Sequence, residues 1–579
     1  MLERQRLHHA QRETVEARAG PKQMSDWAVG RKLEFGAAVV LSVLILSFHI
    51  FRLINARGLW RDEAATAHLA SHFSFQYAIQ SSQYELFPML LPALLHIYGL
   101  VAGLSDTAMR TFGAAVGIFL LIVLWWNMRV VGRSFPLLSL ALLGFNSAFI
   151  QWGDEIRGYG LGNCFLLLSV GLVWQIVEKP TAWRVGAASL AALASVQCLF
   201  NNASLLLVVC LSGMVIGLRR SAGRARKNSS PLQSSHSEKG ALLSLAIGIP
   251  AALSLIPYIK PLGKAREWDV VVRAPVGLGY LCERMNELLS ASGWWNVAFW
   301  AVLFLFAIGI GVLGQFWRER FELSGRDQDV LLFSVLCLLA GVFGYFFLLL
   351  VVGYPTQLWY YLSLAALVAQ LLDFTFEALK VKWVRDARLI VVSLIALSSF
   401  YPTIRNLRER QSNVDVAVAR LTGLAAKDDL VLVTPWYIGV SFDRYYLGPA
   451  PWMTIPPVIF HKLHRYDLIK SQMLLADQDA AIQPILEAID KTLKSGHRVW
   501  VAGQLQIPKA GEAVPSLQPA PDKTWEWQNE AYTSVWSLKV GAYLAACARM
   551  EDVPLGPEVP INRFENLSLK RFEGTGLGP

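Results

Sequence analysis

The stretch FGAAVVLSVLILSFHIFRL, residues 35–53, decides the fold. It is long enough to cross a bilayer as one helix, which takes about 20 apolar residues. The polar, basic residues before it are too many and too acidic for the n-region of a cleaved signal peptide. Because positive charge stays inside, the pattern predicts an uncleaved first span with residues 1–34 as a cytoplasmic tail.

The rest of the chain repeats this apolar pattern. Hydrophobic residues make up 54% and charged residues 17% of the chain, a composition typical of polytopic membrane proteins. Further candidate spans are residues 109–131, 136–152, 157–177, 183–200, 203–219, 241–258, 294–316, 330–352, 356–376 and 387–402. Basic residues occupy alternate loops, so we expect about 11 transmembrane helices in the plasma (inner) membrane, residues 35–402, with membrane lipids as partners. The same loops explain the net charge of +10, which therefore does not indicate a nucleic-acid partner.

Residues 403–579 are different in kind. Strand patterns at 429–435 and 497–503 alternate with helical patterns at 412–426 and 477–495, which predicts a small α/β domain outside the membrane. The region contains no phosphate-cradling glycine motif. We therefore expect an accessory or acceptor-binding domain that folds alone, and not the catalytic domain.

An acidic motif, Gly58-Leu59-Trp60-Arg61-Asp62-Glu63, follows the first span. It opens the first outside loop, residues 54–108, which also holds a short Pro-bearing apolar run expected to lie along the interface. Charged side chains beside hydrocarbon are costly and often functional, although a solvated loop gives the same pattern. A carboxylate pair here suits the deprotonation of a hydroxyl beside a lipid-anchored substrate. Asp62 and Glu63 also suit a divalent cation, the one cofactor that the sequence suggests.

A second cluster, Asp154 and Glu155 followed by Arg157 and Tyr159, falls at the next outside turn. Adjacent helices of a bundle can bring the two clusters together on one side of the membrane. For Asp154 alone, a charged turn is the simpler explanation. For the other three residues, at the head of a helix, a site and a solvated turn remain equally open.

Other candidate side chains lie in the outside loops. In the loop 259–293, Lys264, Arg266 and Arg273 are candidate phosphate ligands, although exposed basic residues are common. His68 and His72, four residues apart, are candidate metal ligands, and a hydrated histidine pair explains them as well.

Taken in order, these motifs resemble those of the GT-C glycosyltransferases, in the branch that contains protein O-mannosyltransferases and bacterial aminoarabinose transferases. The resemblance covers roughly residues 35–400. It is carried by Trp60-Arg61-Asp62-Glu63-Ala64, Asp106-Thr107-Ala108-Met109-Arg110-Thr111-Phe112-Gly113-Ala114, Glu155-Ile156-Arg157-Gly158-Tyr159-Gly160-Leu161 and Tyr360-Tyr361-Leu362-Ser363-Leu364.

The resemblance implies a hexosyl- or pentosyltransferase that takes a sugar from a polyprenyl-phosphate donor at the outer face and inverts the anomeric centre. The acceptor would be a hydroxyl of a lipid, glycan or protein. Asp62 would be the general base, and the further catalytic residues Glu63 and Glu155 would orient substrate or a metal. The residues expected near the donor phosphate are Arg157, Tyr159, Tyr360 and Tyr361. The residues expected to shape the acceptor side are Glu85, Asp154 and His68, with Glu85 at a position where many members carry histidine.

Two alternatives stay open at the level of sequence. One is an oligosaccharide transferase of the same superfamily. The other is a non-enzymatic transporter or flippase of lipid-linked sugars, which predicts inverted repeats and broken helices with charges at the midplane. The acidic residues of this chain cluster at one surface instead, which favours an enzyme.

Overall fold

The computed structural model of the chain describes residues 21–226, 231–268, 276–317, 319, 321, 323–509, 511–522, 528–556 and 559–575. Arg273, one of the candidate phosphate ligands, lies outside the described residues.

Within these residues, nine helices are long and apolar enough to cross a membrane. They are Val29–Ala56, Asp106–Gly132, Gly158–Glu178, Asn202–Gly223, Ser237–Trp268, Asn296–Phe316, Gly325–Val352, Leu358–Ala378 and Lys382–Leu407. The polytopic helical fold with a C-terminal sheet domain is confirmed. The count of 11 is not confirmed.

Two of the 11 predicted spans are not among the nine candidate spans of the described residues. Residues 136–152 form two short helices, Leu137–Gly144 and Ser147–Gly153, and residues 183–200 form the helix Ala182–Cys198. The first break is at Asn146, whose side-chain oxygen accepts a hydrogen bond from the Phe149 backbone N–H at 2.9 Å and caps the second helix. An asparagine side chain competes in this way with the continuing helical hydrogen bonds.

Two spans form the centre of the bundle. The apolar windows of Gly158–Glu178 and Leu358–Ala378 are 83% and 94% buried, whereas those of the spans Ser237–Trp268 and Asn296–Phe316 are only 22% and 28% buried. The two central spans begin at Gly158 and Leu358, directly beside the motif residues Arg157 and Tyr360. Side chains at these positions therefore belong to the two most deeply buried of the nine candidate spans in the described residues.

The first loop folds into three helices, Arg61–Ser71, Phe75–Glu85 and Leu90–Ala102. The last of them is apolar and too short to be a candidate span. It leaves Ile97, Leu100 and Val101 exposed, as an amphipathic helix along the membrane interface would.

The C-terminal region contains a five-stranded sheet in the order β2-β1-β3-β5-β4. The strands are β1 (Leu430–Thr434), β2 (Trp452–Thr454), β3 (Arg498–Gly503), β4 (Ala548–Asp552) and β5 (Leu569–Gly574). The strands β2, β1 and β3 are parallel, and β5 is antiparallel to both β3 and β4. The accompanying helices are Val414–Leu424, Gly439–Tyr445, Tyr466–Met473, Gln483–Lys494 and Asn529–Cys547.

Both faces of this sheet are covered by helices. Along β1, Leu432 packs in a cluster with Ile485, while Val431 packs in a separate cluster with Leu421. Neighbouring residues of a strand point to opposite faces, so the alternation places one apolar core on each side of the sheet. The domain is therefore a three-layer α/β unit, the architecture that the strand and helix patterns predicted.

The C-terminal domain rests directly on the first loop. Arg444 and Tyr445 bind the two carboxylate oxygens of Asp106 at 2.7 and 2.5 Å, and the Tyr445 hydroxyl accepts a hydrogen bond from the Leu59 backbone N–H at 2.7 Å. Arg61 donates to the carbonyl oxygen of Phe564 at 3.0 Å. The domain thus contacts the acidic motif itself.

We expect the turn at Lys179 and the segment at Ser516 to lie on opposite sides of the membrane, because basic loops alternate with the spans. Green fluorescent protein fused at Lys179 should fluoresce in the cytoplasm, and alkaline phosphatase fused at Ser516 should be active outside. Reporter signals that place both positions on the same side of the membrane would contradict the topology.

Candidate active site

Trp60 joins three parts of the site. It is the N-cap residue of helix Arg61–Ser71 and is almost completely buried. Its indole N–H donates to a carboxylate oxygen of Glu155, and its ring packs against Trp152 and Trp359 with centroid separations of 5.6 and 5.8 Å. One side chain therefore fixes the first loop against the second acidic cluster and the start of a central span.

Glu63 is fully buried and its carboxylate is occupied. Arg110 binds both of its oxygens, with Nη2 to Oε2 at 2.7 Å, and the backbone N–H of Ile156 donates to Oε1 at 3.1 Å. Arg110 also donates to the carbonyl oxygen of Gly58 at 2.8 Å. This arrangement favours a structural role for Glu63, because both of its oxygens already have partners.

Asp62 has a different environment. Its side chain keeps 17% of its surface exposed and faces three cationic or ionisable groups. These are Arg157 Nη2 at 3.4 Å, His464 Nε2 at 3.5 Å and Arg61 Nε at 3.7 Å. No hydrogen bond from another described residue reaches its carboxylate oxygens, so they remain open to a substrate donor. Helical neighbours point about 100° apart, which accounts for the contrast with Glu63.

Glu85 connects the site to the C-terminal domain. Its Oε1 accepts hydrogen bonds from the backbone N–H of His464 at 3.0 Å and from Nδ1 of the same residue at 2.9 Å, while Oε2 accepts from Arg157 at 3.1 Å. Burial raises the pKa of Glu85, but His464 and Arg157 outweigh it and lower the pKa to about 2. Because an ionised carboxylate only accepts hydrogen bonds, Nδ1 of His464 carries a proton.

His464 Nε2 is thereby directed to Asp62. This nitrogen is buried and has no hydrogen-bond partner within the described part of the chain. Buried polar atoms are nearly always paired, and Nε2 is the acceptor nitrogen once Nδ1 carries the proton, so its unpaired state indicates a hydrogen-bond donor that arrives with substrate.

Arg157 lies between the two carboxylates. It contacts Asp62 and Glu85, and its guanidinium lies 4.4 Å above the ring of Phe87. Burial lowers its pKa, but Asp62 and Glu85 together raise it above the ordinary arginine value. Arg157 is therefore a permanent cation that the surrounding side chains hold in place.

A cavity of about 60 Å³ adjoins this cation. Its lining includes Glu85, Arg157, Tyr159, Asn201 and Tyr360. One cation and two phenol groups suit the oxygens of a phosphate. Tyr361, predicted for the same role, does not line this cavity and instead lies within 3.0 Å of the Thr356 hydroxyl.

Glu155 is buried beside two other acids. One of its oxygens accepts from Trp60, and the other has no hydrogen-bond partner among the described residues. Burial, followed by the charges of Glu63 and Asp62, raises its pKa well above the ordinary value. The raised pKa favours the neutral carboxyl group of Glu155, which can donate a hydrogen bond.

The remaining candidates lie apart from this cluster. Asp154 pairs with His49 at 2.7 Å inside the bundle. His68 lies 3.1 Å from the Tyr77 hydroxyl, and burial together with His72 lowers its pKa to about 4. Lys264 and Arg266 are exposed at the end of the span Ser237–Trp268, and no contact joins either residue to Asp62 or Arg157.

No group of three or more His, Cys, Asp or Glu side chains with metal-binding geometry occurs among the residues that the structure describes. Asp62 and Glu63 point in different directions, and Arg110 occupies Glu63. The two carboxylates therefore do not converge on one point where a cation could bind.

Two important residues escaped the sequence analysis. Arg110 was quoted only as part of a motif, although it neutralises Glu63. His464 is 379 residues from Glu85 and lies in a domain judged non-catalytic for lack of a phosphate motif. No spacing or periodicity in the sequence could have connected residues so far apart.

No protein-family model matches the chain, and no curated protein matches it either. Similar solved structures include ArnT from Cupriavidus metallidurans bound to undecaprenyl phosphate, with 13% identity and a TM-score of 0.48 over 80% of this chain and 92% of that one. The oligosaccharyltransferase AglB from Archaeoglobus fulgidus, in complex with an inhibitory peptide and a dolichol-phosphate, is 11% identical, with a TM-score of 0.43 over 81% of this chain and 69% of that one. Both belong to the GT-C superfamily, which is the family that the sequence motifs resemble. Likeness at this level does not transfer an activity.

We expect Glu63→Gln to destabilise the protein, because it leaves the Arg110 guanidinium buried without its counter-charge. Breaking a buried ion pair costs about 3–5 kcal/mol. Thermal unfolding in detergent should therefore show a clearly lower Tm for Glu63→Gln. The matched control, Asp62→Asn on the same helical turn, should unfold near the wild-type temperature. A wild-type Tm for Glu63→Gln would refute the structural role.

Proposed function

We propose that this chain is a membrane glycosyltransferase that moves a sugar from a polyprenyl-phosphate donor to a hydroxyl acceptor at the extracytoplasmic face. The observation that carries the proposal is the state of Asp62. Its carboxylate is partly exposed, accepts no hydrogen bond from another described residue, and lies 3.4 Å from the buried cation Arg157. A base for an incoming hydroxyl and a cation for a departing phosphate thus stand side by side.

The reaction follows from this arrangement as a single displacement. Asp62 removes the proton of the acceptor hydroxyl while the oxygen of that hydroxyl bonds to the anomeric carbon of the donor sugar. The bond from that carbon to the phosphate oxygen breaks, and the electron pair leaves with the polyprenyl phosphate. Attack opposite the leaving group inverts the anomeric centre.

The phosphate is best accommodated beside Arg157. The cavity with Tyr159 and Tyr360 in its lining touches this cation and lies at the outer ends of the two central spans. Hydrogen bonds to charged groups are the strong ones, and donors that are already in place need no reorganisation during reaction. Lys264 and Arg266 stay candidates for the approach of the donor, at a greater distance from the base.

Glu155 contributes as a neutral group. Two further negative charges, on Asp62 and Glu63, already surround it and raise its pKa. A neutral carboxyl group there avoids a third charge close to the base and can donate its proton in a hydrogen bond to a sugar or acceptor oxygen.

His464 acts as a positioning residue. Glu85 fixes its Nδ1, and its Nε2 faces Asp62 Oδ1 at 3.5 Å. With the Nδ1 proton on Glu85, Nε2 carries a lone pair that can accept a hydrogen bond from the acceptor hydroxyl and hold this hydroxyl beside Asp62 for proton transfer. In this proposal the C-terminal domain completes the active site.

We expect Asp62→Asn to lower turnover by about 10²–10⁴-fold, the range for loss of a general base, while donor binding survives. The measurement is transfer from labelled polyprenyl-phosphate hexoses and pentoses, with donor binding followed separately on the same purified protein. Asp490→Asn serves as a control, since Asp490 pairs with Lys494 on the helix Gln483–Lys494, away from the site. Full activity of Asp62→Asn would overturn the proposed base.

A pair of His464 variants tests the positioning role. An asparagine amide occupies the place of Nδ1 and keeps the Glu85 contact, whereas a glutamine amide occupies the place of Nε2 and keeps the Asp62 contact. We expect His464→Asn to reduce kcat by about tenfold with little change in donor KM, the pattern for an interaction made only in the transition state. We expect His464→Gln to keep most of the wild-type kcat. Equal kcat for the two variants would refute the role of Nε2.

A further inference from the structure

A second cavity lies at the opposite end of the helix bundle, beside the start of the first span. Its volume is about 360 Å³. Arg31 and Glu34 of the span Val29–Ala56 line it, and Asp62 follows the far end of that span. At 1.5 Å per helical residue the two sites are about 40 Å apart. The cavity is therefore independent of the proposed transfer reaction.

The lining of this cavity carries an excess of positive charge. Seven cationic side chains and three carboxylates surround it. They are Arg31, Arg133, Arg326, Lys380, Lys382, Arg385 and Arg388, with Glu34, Asp327 and Glu377. Two of the cations also have partners outside the lining, since Arg326 pairs with Glu178 at 2.7 Å and Arg385 with Asp386 at 3.4 Å. Seven cations and these five carboxylates leave an excess of two positive charges.

The three carboxylates are already engaged. Asp327 binds Lys380 at 2.9 Å, and Arg388 binds Glu377 at 2.8 Å and also pairs with Glu34. Arg388 is 5% exposed, and its Nε has no hydrogen-bond partner among the described atoms. A buried guanidinium with an unused donor is costly unless a ligand supplies an acceptor.

A helix N-terminus adds to the positive field. The span Lys382–Leu407 begins at the cavity, its N-cap residue Val381 makes no side-chain cap, and its first turn contains no acid. The first two turns carry Lys382, Arg385 and Arg388, and one acid, Asp386, which pairs with Arg385. Cations are unfavourable at this end of the helix dipole, and a bound anion would offset both the dipole and the side-chain charges.

Arg133 has an unusual backbone. Its φ of 60° lies in the left-handed region, which residues other than glycine rarely adopt. This conformation ends the short helix Met128–Gly132 and keeps Arg133 in the cavity lining. Conformations of this kind are found at ligand-binding sites, where the surrounding structure holds them.

We propose that this cavity, where four chain segments bring six cations around the buried Arg388, binds a phosphate-bearing anion, namely the headgroup of an acidic phospholipid. Positive charge at the cytoplasmic ends of spans follows from topology alone, but topology does not require a concave site between the spans. Basic pockets between transmembrane helices are suited to such headgroups. The bound lipid would hold together the spans that meet at this end.

The test compares two double variants that remove the same charge. Arg133→Gln with Arg385→Gln removes two cations from the cavity, and Lys179→Gln with Arg219→Gln removes two exposed cations outside its lining. Purified full-length proteins are reconstituted with phosphatidylcholine alone or with added phosphatidylglycerol, and native mass spectrometry measures the retained phosphatidylglycerol. Each cavity charge should contribute about fivefold in affinity for phosphatidylglycerol. The cavity variant should therefore bind this lipid about 25-fold more weakly, and the control variant should bind it as the wild type does.

A second arm titrates inorganic phosphate onto the lipid-free protein in detergent. Specific phosphatidylglycerol retention that the cavity variant alone loses supports a lipid ligand. Phosphate binding that the cavity variant alone loses, without lipid selectivity, supports the anion site and assigns it to soluble phosphate. Equal losses in both variants, or no preference for phosphatidylglycerol and no phosphate binding, would overturn the proposal. If the double variant does not fold, Arg133→Gln alone, at an exposed side chain, should show the fivefold effect.

Discussion

The buried ion pair of Glu63 and Arg110 is the constraint on which the rest of the site depends. It ties the helix Arg61–Ser71 to the span Asp106–Gly132 at the surface of the bundle, and the Ile156 backbone N–H on the same carboxylate adds the second acidic cluster. Such a pair gains little net stability, but losing one member is expensive. Its consequence is geometric. With Glu63 turned into the bundle, the neighbouring Asp62 can only face the C-terminal domain and the open side of the site.

The C-terminal domain consequently contributes a side chain to the candidate site. Arg444 and Tyr445 anchor it to Asp106, and His464 reaches Glu85 and faces Asp62. In the proposed reaction the first loop supplies the base, Asp62, and the segment before a central span supplies the permanent cation, Arg157. The domain supplies the groups that orient them, so an acceptor bound between domain and bundle would meet Asp62 directly.

Hydropathy and charge predicted the polytopic fold, because span length and basic loops follow directly from the bilayer. The ordered motifs brought Asp62, Glu155 and Arg157 together correctly, since helical neighbours in a bundle share one surface. The spacing alone could not separate Asp62 from Glu63, and only the family resemblance selected Asp62, because the separation depends on the distant Arg110. Nor could it find His464 or the break at Asn146, which depend on the docking of a remote domain and on one side-chain cap.

The charges around Asp62 also suggest how the two halves of the proposed reaction are connected. Arg157 is shared between Asp62 and Glu85, and the pKa of Glu85 lowered to about 2 keeps that carboxylate charged throughout. When Asp62 accepts the acceptor's proton, its negative charge disappears and Arg157 loses one of its two counter-ions. The leaving phosphate gains negative charge in the same step. The cation that the base releases is then available to the phosphate in the adjoining cavity, so proton transfer and departure of the leaving group assist each other.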